Sequence, residues 1–463
     1  MTPDPKNPSD KTVTETLVSF LAFEATDGAP KNALEKFLSL FADVRAGEGL
    51  GVVTMTLNAF LLLGAYYLLK TAREVLILTE GGATGKAYSS GGQALVLLLL
   101  VPVYGWVGTK VNRVKLVTGL TLFFVSHLLL FSYLGSHGVH EGVVYFIWVG
   151  IFSVFVISQF WAFANDLYTE RQGSRLFPLI GVGSSVGALA GAEAAGLLVG
   201  RFSLSPYALM LIAAAVLTST ATLVVWANSL EIRRGPRESA KDAKKDAKEV
   251  LSTEGAFSLI RQDKYLIWIA LMMILLNIVN SSGEYLLSSL VTSEAVARGL
   301  TGAAKGQFIG GFYASYFSWV NGIGLLVQAF GVSRIFKHAG IRGSLFFMPL
   351  ISLMSYSVIA VAPILAIVRA IKTIENSADY SVQNTVRQAL WLPTSREAKY
   401  KAKAAIDTFC MRFGDVIAAG IVFLGTSVVA LTVTQFAWVN VFLVLVWLWV
   451  ASRIAREHSK RTA

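Results

Sequence analysis

ILAIVRAIKTIENSADYSVQ, residues 364–383, sets Arg369, Lys372, Asn376, Asp379 and Gln383 at intervals of three, four, three and four. That spacing puts all five on one face of an α-helix. Ala366, Ile367, Ile371, Ile374 and Val382 lie around most of the remaining circumference. In a bilayer, each ionised group near the centre costs roughly 2.5–3.5 kcal/mol on insertion scales. A chain tolerates such a stripe where it lines a water-filled cavity or meets a charged ligand. The stretch therefore predicts a cavity, provided that the chain lies in a membrane.

The composition places it there. Hydrophobic residues make up 54% and charged residues 15%, with a mean hydropathy of +0.59, values that exclude an ordinary soluble domain of this length. A bilayer-spanning helix needs about 20 apolar residues. About twelve such runs are present, near 51–73, 90–109, 114–134, 142–165, 176–200, 206–228, 264–291, 307–331, 343–361, 364–385, 404–429 and 432–453. The expected fold is thus all-α and polytopic.

Lys and Arg set the orientation. Loops after even-numbered spans are basic, with Lys110, Arg113 and Lys115, then Arg171 and Arg175, then Arg334, Lys337 and Arg342, then Arg396, Lys399, Lys401 and Lys403. The loops 135–142, 361–364 and 430–434 hold no Lys or Arg. Both termini are therefore expected in the cytoplasm, with 456–463 as a short tail. The formal charge of +11 reflects this bias. Basic residues scattered over several loops do not form a nucleic-acid surface.

Residues 1–30 are polar and show no apolar core followed by a cleavage site, so no secretory signal is expected. Within the tail 1–49, ALEKFLSLFADVR (33–45) sets Leu34, Phe37, Leu38 and Phe41 on one face. This predicts a short amphipathic helix, either on the membrane surface or packed on the bundle. Cys410 is the only cysteine, and the five His residues lack ligand spacing, so neither a disulfide nor a metal site is expected. No nucleophile–base set points to an enzyme, and no cofactor motif is present.

The polar segment EIRRGPRESAKDAKKDAKEV (231–250), within a linker 231–263, divides the chain into bundles at 50–230 and 264–455. The two echo each other. Leu57-Asn58 and Gly64-Ala65-Tyr66 recur as Leu276-Asn277 and Gly283-Glu284-Tyr285, at an offset of 219 residues that also pairs Asn165 with Asn384. Six plus six spans around a charged loop is the plan of major facilitator transporters, whose substrates sit near the midplane between the halves.

Other polar residues lie inside apolar runs. In YYLLKTAREVLIL (66–78), Lys70 and Glu74 are i,i+4 neighbours beside Arg73; they are either interfacial residues or substrate contacts. Glu284, among Asn277, Asn280, Ser281 and Ser282, is expected to pair with Lys70 or Arg73 or to carry a coupling proton. In the fifth span Gly183, Gly187 and Gly191 recur every fourth residue, a smooth face for close helix packing; the spacing does not fit a phosphate-binding Gly-x-Gly-x-x-Gly. Glu193 on the same helix has no assigned role. Arg412 and Asp415 are expected to form a local i,i+3 pair.

Several stretches resemble the ADP,ATP carrier (nucleotide transporter) family of intracellular bacteria and plastids. They are QFWAFANDLYTERQGSRLFPLIGVGSSVGALAG (159–191), SADYSVQNTVRQALWLP (377–393), KYKAKAAIDTFCMRFGD (399–415) and the first-span end 66–78. The entry FADVRAGEGL (41–50) resembles that of distant members in free-living bacteria. The resemblance implies a carrier that exchanges nucleotides; a place in the bacterial inner membrane and a monomeric state are expected alongside it. Matched residue by residue, the family's first-span lysine falls on Arg73, its fourth-span acid on Val149 and its seventh-span acid on Glu284. A family lysine becomes Asp379, a Lys-Glu pair becomes Arg387 and Gln388, and another lysine becomes Asp415. Lys401, Lys403 and Asp407 are retained and, with Asn165 and Asn384, are candidates for gating.

A site for ATP and ADP must offset three to four negative charges, for which Arg and Lys clamps are the usual means. Lys70, Arg73, Arg369, Lys372 and Arg387 are the candidate cations, joined by Glu284 and Asn376, while Asp379 works against them. Three functions follow as expectations: a carrier of a nucleotide or related phosphorylated anion, a proton-coupled carrier of another solute on the same fold, and a non-transporting scaffold or sensor.

Overall fold

The computed structural model describes residues 30–108, 111–232, 255–395 and 397–462. Most of the predicted linker 231–263 and the loop residues Lys110 and Arg396 lie outside them. A short helix α1 (Ala33–Leu38) precedes six long helices, α2 (Gly49–Glu80), α3 (Gly82–Gly108), α4 (Arg113–Ser136), α5 (Gly142–Leu167), α6 (Glu170–Gly200) and α7 (Pro206–Ile232). After α8 (Ala256–Gln262) come α9 (Lys264–Ala297) and α10, which runs from Gly302–Leu326 through a widened turn into Val332–Ser344. Then follow α11 (Phe347–Val361) and α12, made of Leu365–Ala378, the widened turn Asp379–Gln383 and Asn384–Ala389. The last two are α13, from Ala398–Ala402 through Met411–Phe423 to Leu424–Val428, and α14 (Val433–Thr462). Ten of these helices are long and apolar enough to cross a membrane. The shorter apolar α11 and the striped α12 complete twelve, in two sets of six.

The sequence places one boundary too late. The second span is expected from residue 90, but α3 begins at Gly82, one residue after the Gly81 cap of α2. Gly82 turns the chain there with φ +64°, a conformation that costs glycine little. The glycine- and serine-rich run 81–92 is therefore helix rather than loop.

The apolar core falls into two clusters, one mainly in each half; the second-half cluster also takes in Tyr67, Phe146 and Ala192 of the first half, and the first-half cluster takes in Ala314. In both halves, the first helix is tied to the last by a buried polar contact. Asn58 Nδ2 of α2 donates to the Thr220 carbonyl of α7 (3.3 Å), and the Ser282 hydroxyl of α9 donates to Asn440 Oδ1 of α14 (2.6 Å). In the first half, α2 and α6 meet backbone to backbone. A Cβ on Gly183 would lie 2.6 Å from the Thr56 carbonyl oxygen, and one on Gly191 would lie 2.7 Å from Gly64 Cα. The small-residue stripe is thus a packing face. Glu193 points away from it, exposed on the outer wall of the bundle with Val182, Val186 and Leu197.

The amphipathic N-terminal segment divides its residues differently from the expectation. Only Leu38 of the predicted apolar face joins the first-half core, whereas Leu34, Phe37 and Phe41 are exposed. Glu35 turns inward instead. It closes a capping box with Asn32 and accepts the Gly47 backbone N–H (2.7 Å). The start of α2 is held further by Glu48, which accepts from Arg175 of α6 at 2.8 Å, while Thr169 and Gln172 cap α6.

The polar stripe of α12 does not face one cavity along its length. Lys372 is fully buried within the second half, 2.9 Å from Glu375 Oε2 and 3.3 Å from the Tyr356 hydroxyl. Glu375 also accepts from Ser352 of α11 (2.9 Å). Arg369 donates to Ser315 (2.6 Å) and lies over the Phe312 ring. Asp379 and Gln383 are buried at the widened turn, which also interrupts the regular spacing. A shared helix face fixes which residues are neighbours but not which element they meet; here most of the face meets α10 and α11.

Two substitutions test this packing. Gly191→Leu should lower the detergent melting temperature by an overpacking cost of about 1–3 kcal/mol, whereas Gly200→Ala, with open space around its Cα, should leave it unchanged. Lys372→Met should destabilise by roughly 3–5 kcal/mol because it strands a buried carboxylate, and adding Glu375→Gln should restore much of the loss. Denaturation in detergent measures both, and a Lys372→Met protein of unaltered stability would show that the pair is not structural.

Candidate functional site

The two halves meet around α2, α3, α9 and α10. Tyr67 donates to Asn321 Oδ1 (2.9 Å), and Lys86 of α3 reaches Ser288 (3.0 Å) and Glu284 Oε2 (3.3 Å) of α9. Toward the same end, Tyr88 is 3.2 Å from the Thr426 hydroxyl, and Gly91 packs against Ala419. Val75 and Val199 pack on Gly310. These contacts run from mid-helix to the end whose loops 137–141, 362–364 and 429–432 lack Lys and Arg. At the opposite end, Asn165 and Asn384, paired by the repeat, are both exposed.

Between the halves lies a cavity of about 300 Å³. Its first-half wall carries Lys70, Arg73 and Glu74 from α2, Lys86, Ser90 and Gln93 from α3, and Phe146 from α5. Its second-half wall carries Asn277, Asn280, Ser281 and Glu284 from α9, Phe317 from α10, Asn376 and Tyr380 from α12, and Arg412 and Asp415 from α13. Tyr66 and Tyr285, equivalent in the repeat, line it from opposite sides.

Its charges are organised in pairs. Glu74 is 1% exposed and stands between two cations: Arg73 donates to it at 2.6 Å, and the Lys86 ammonium lies 2.8 Å from its other oxygen as an ion contact without hydrogen-bond geometry. Lys86 is shared with Glu284, whose Oε1 accepts from Asn376 Nδ2 (3.2 Å). Asn376 also donates to the Tyr316 hydroxyl (2.6 Å). Arg412 pairs with Asp415 at 3.2 Å, and Ser281 donates to the same carboxylate at 2.7 Å. Three of these cations also lie over aromatic faces, Lys86 over Tyr313 at 5.0 Å among them. The Lys70 ammonium is 4.1 Å from the Phe317 ring centre, and the Arg73 guanidinium is 4.6 Å from that of Phe146. Such contacts are worth about 0.5–2 kcal/mol, more when desolvated.

Of the candidate substrate contacts read from the sequence, Lys70, Arg73, Glu284 and Asn376 come together on this cavity. Arg369, Lys372, Asp379 and Arg387 do not line it. Arg387 donates to Asn384 Oδ1 (3.3 Å). Among the family-motif residues, Lys401 pairs with Glu397 (3.0 Å), Lys403 donates to Gln388 Oε1 (2.7 Å) and Asp407 is exposed, all on or near the start of α13. The i,i+4 spacing pointed Glu74 toward Lys70, but Glu74 instead engages Arg73 and Lys86. Glu284 pairs with Lys86 rather than with Lys70 or Arg73. The local Arg412–Asp415 pair forms as expected and sits on the cavity wall.

Lys86 is the residue that sequence reasoning missed. It lies in GGATGKAYSSGG (81–92), whose glycines and serines read as a connection. Its signal was that a single lysine follows the polar first-span end by one tight turn.

Comparison with known proteins agrees with this architecture. The Major Facilitator Superfamily model matches residues 47–373, and the TLC ATP/ADP transporter model matches residues 317–458. ADP,ATP carrier protein 1 of Chlamydia pneumoniae is 22% identical over 349 residues, covering 67% of this chain and 66% of that protein. The protein of the same name from Chlamydia trachomatis serovar D is 26% identical over 343 residues, covering 65% and 62%. The chain thus covers slightly under two thirds of the length of these relatives. Among solved structures, the nucleoside transporter NupG superposes with a TM-score of 0.63 at 14% identity, covering 86% of this chain and 98% of that one. A POT family transporter in complex with 5-aminolevulinic acid superposes with 0.62 at 14% identity, covering 90% and 98%. Identities this low speak for the fold alone. With a family model matched over most of its length, the chain belongs to the Major Facilitator Superfamily, in which it is a distant relative of the ADP,ATP carriers.

Proposed function

We propose that the chain is a membrane carrier, not an enzyme, that moves a nucleotide or related phosphorylated anion by alternating access, with exchange as the mode. The observation that carries the reading is the central cavity, where Lys70, Arg73, Lys86 and Arg412 converge between the two halves. Phosphate oxygens are held by such cations through charge-assisted hydrogen bonds, and the rings of Tyr66 and Tyr380 on the cavity wall offer faces for a base. The kinship with ADP,ATP carriers supports the substrate class.

The cross-half contacts favour a state closed at the Lys/Arg-poor end. With both termini and the basic loops in the cytoplasm of a bacterial inner membrane, this state faces inward. Opening to the other side requires Lys86 to leave Glu284 and Ser288. Lys70, Arg73, Glu284 and Asn376 are then the substrate contacts. Arg369, Lys372, Asp379 and Arg387 act behind them as framework, and the exposed Asn165 and Asn384 with Lys401, Lys403 and Asp407 belong to the moving inner rim. The cavity is complete within one chain, so a monomer suffices. Glu284 gives the second reading its observation: a half-buried carboxylate on the cavity wall is where a coupling proton would sit.

Purified protein in liposomes preloaded with nucleotide should show saturable counterflow of labelled nucleotide. Arg73→Ala should reduce its apparent affinity by roughly 10–150-fold, the loss of a charged hydrogen bond worth about 1.5–3 kcal/mol. Absence of counterflow with every nucleotide would sink the nucleotide reading. Flux of another solute that collapses with a protonophore and with Glu284→Gln would favour the second.

A further inference from the structure

The cavity carries four cationic side chains, Lys70, Arg73, Lys86 and Arg412, and three carboxylates, Glu74, Glu284 and Asp415. The lining therefore carries one net positive charge. Three of the cations are already committed: Arg73 to Glu74, Lys86 to Glu74 and Glu284, and Arg412 to Asp415. Among the described residues, Lys70 is the lining cation without a carboxylate at ion-pair distance, and its ammonium rests on the Phe317 and Tyr67 rings. The nearby cations of α12 do not reinforce it. Lys372 is buried against Glu375, and Arg369 is turned to Ser315 and Phe312.

From this balance we infer that the central cavity selects a singly phosphorylated ring compound, of the class of a nucleoside monophosphate, and discriminates against di- and triphosphates. The inference rests on the cavity being the substrate site. A phosphate monoester carries about −1.5 to −2 at neutral pH. Such a group can sit on Lys70 and share Arg73, leaving each lining carboxylate at least one cation. Each further phosphate adds charge beside Glu74, Glu284 and Asp415 with no uncommitted cation to meet it, so like-charge repulsion grows with phosphate number. Size points the same way, because about 300 Å³ is the lower end of the roughly 300–1,000 Å³ typical of small-molecule pockets. The rings of Tyr66 and Tyr380 supply the second half of the recognition, a face for a planar ring.

The test is competition against counterflow, or direct calorimetric binding, with the nucleoside and its mono-, di- and triphosphate for each of the common bases. The monophosphate should bind at least about tenfold more tightly than the triphosphate, and more tightly than the nucleoside. Lys70→Gln should remove the advantage of monophosphate over nucleoside, and Lys70→Arg should keep it. Asp415→Asn, which retains a hydrogen-bonding partner for Ser281 while freeing Arg412, should move the preference toward the diphosphate. Affinity that rises from mono- to triphosphate overturns the inference and leaves the nucleotide-carrier reading intact. So does an unaltered monophosphate-to-nucleoside ratio in a folded Lys70→Gln protein. No binding by any nucleoside or nucleotide overturns both.

Discussion

The ammonium of Lys86 sits at the point on which the rest depends. It lies between Glu74 of its own half and Glu284 of the other, 2.8 and 3.3 Å away. Removing a buried charge from its partner costs several kcal/mol, far more than a surface ion pair is worth. A carrier that opens on this side must separate Lys86 from Glu284 and still leave each group satisfied. Glu74 makes that feasible, because it holds Lys86 from within the first half and itself keeps Arg73. Glu284 keeps Asn376 on the other side. On the carrier reading, the cross-half contact can then break with Lys86 still held by Glu74, and with Glu284 left on Asn376 and, at 29% exposure, open to the cavity's solvent.

For the halves to move as bodies, each must be stiff, and they achieve this by different chemistry. The first half brings α2 and α6 into backbone contact along Gly183, Gly187 and Gly191, the small-residue packing that suits a lipid environment where apolar burial between helices gives little. The second half pins α12 to α11 through Lys372, Glu375, Ser352 and Tyr356. Both charges lie on α12, so what holds it against α11 is the hydrogen bond each makes to Ser352 or Tyr356, which a shift of α12 would break and leave buried polar atoms short of partners. Asn376, one residue beyond Glu375, is thereby held where it can reach Glu284. The stripe serves the cavity largely by positioning that one amide.

Ten of the spans were legible as apolar runs of bilayer length, and the break at Pro363 divides the shorter α11 from the striped α12. The 219-residue offset was legible too; it places Tyr66 and Tyr285 on facing walls of one cavity. The site was legible only in part. Helical periodicity shows that Arg369, Lys372 and Asn376 share a face, but the identity of the neighbour is a tertiary fact, and here α10 and α11 take most of that face. Glu375 stood beside Lys372 at i,i+3 in the same stretch, and the local pairing rule was sufficient to find it. Lys86 was harder, because glycine and serine mark connections in soluble proteins, whereas in a membrane small residues let helices approach and the helix continues.

The resemblance to ADP,ATP carriers and the electrostatics of the cavity bear on different questions. Kinship speaks for the fold and supports the proposed class of cargo; the charge balance bears on which member of that class the cavity would neutralise. The two departures that matter most act at different depths. Asp415 stands where the family pattern has a lysine, and on the cavity wall it neutralises Arg412. Val149 stands where the pattern has an acid, and it is buried in the first-half core, where a lone carboxylate would need a cation. One change removes positive charge from the cavity, and the other removes a negative charge from behind it. On the proposed reading, a cavity of this kind keeps the means to bind an anion, and the number of phosphates it accepts is set by how many of its cations its own carboxylates have already taken.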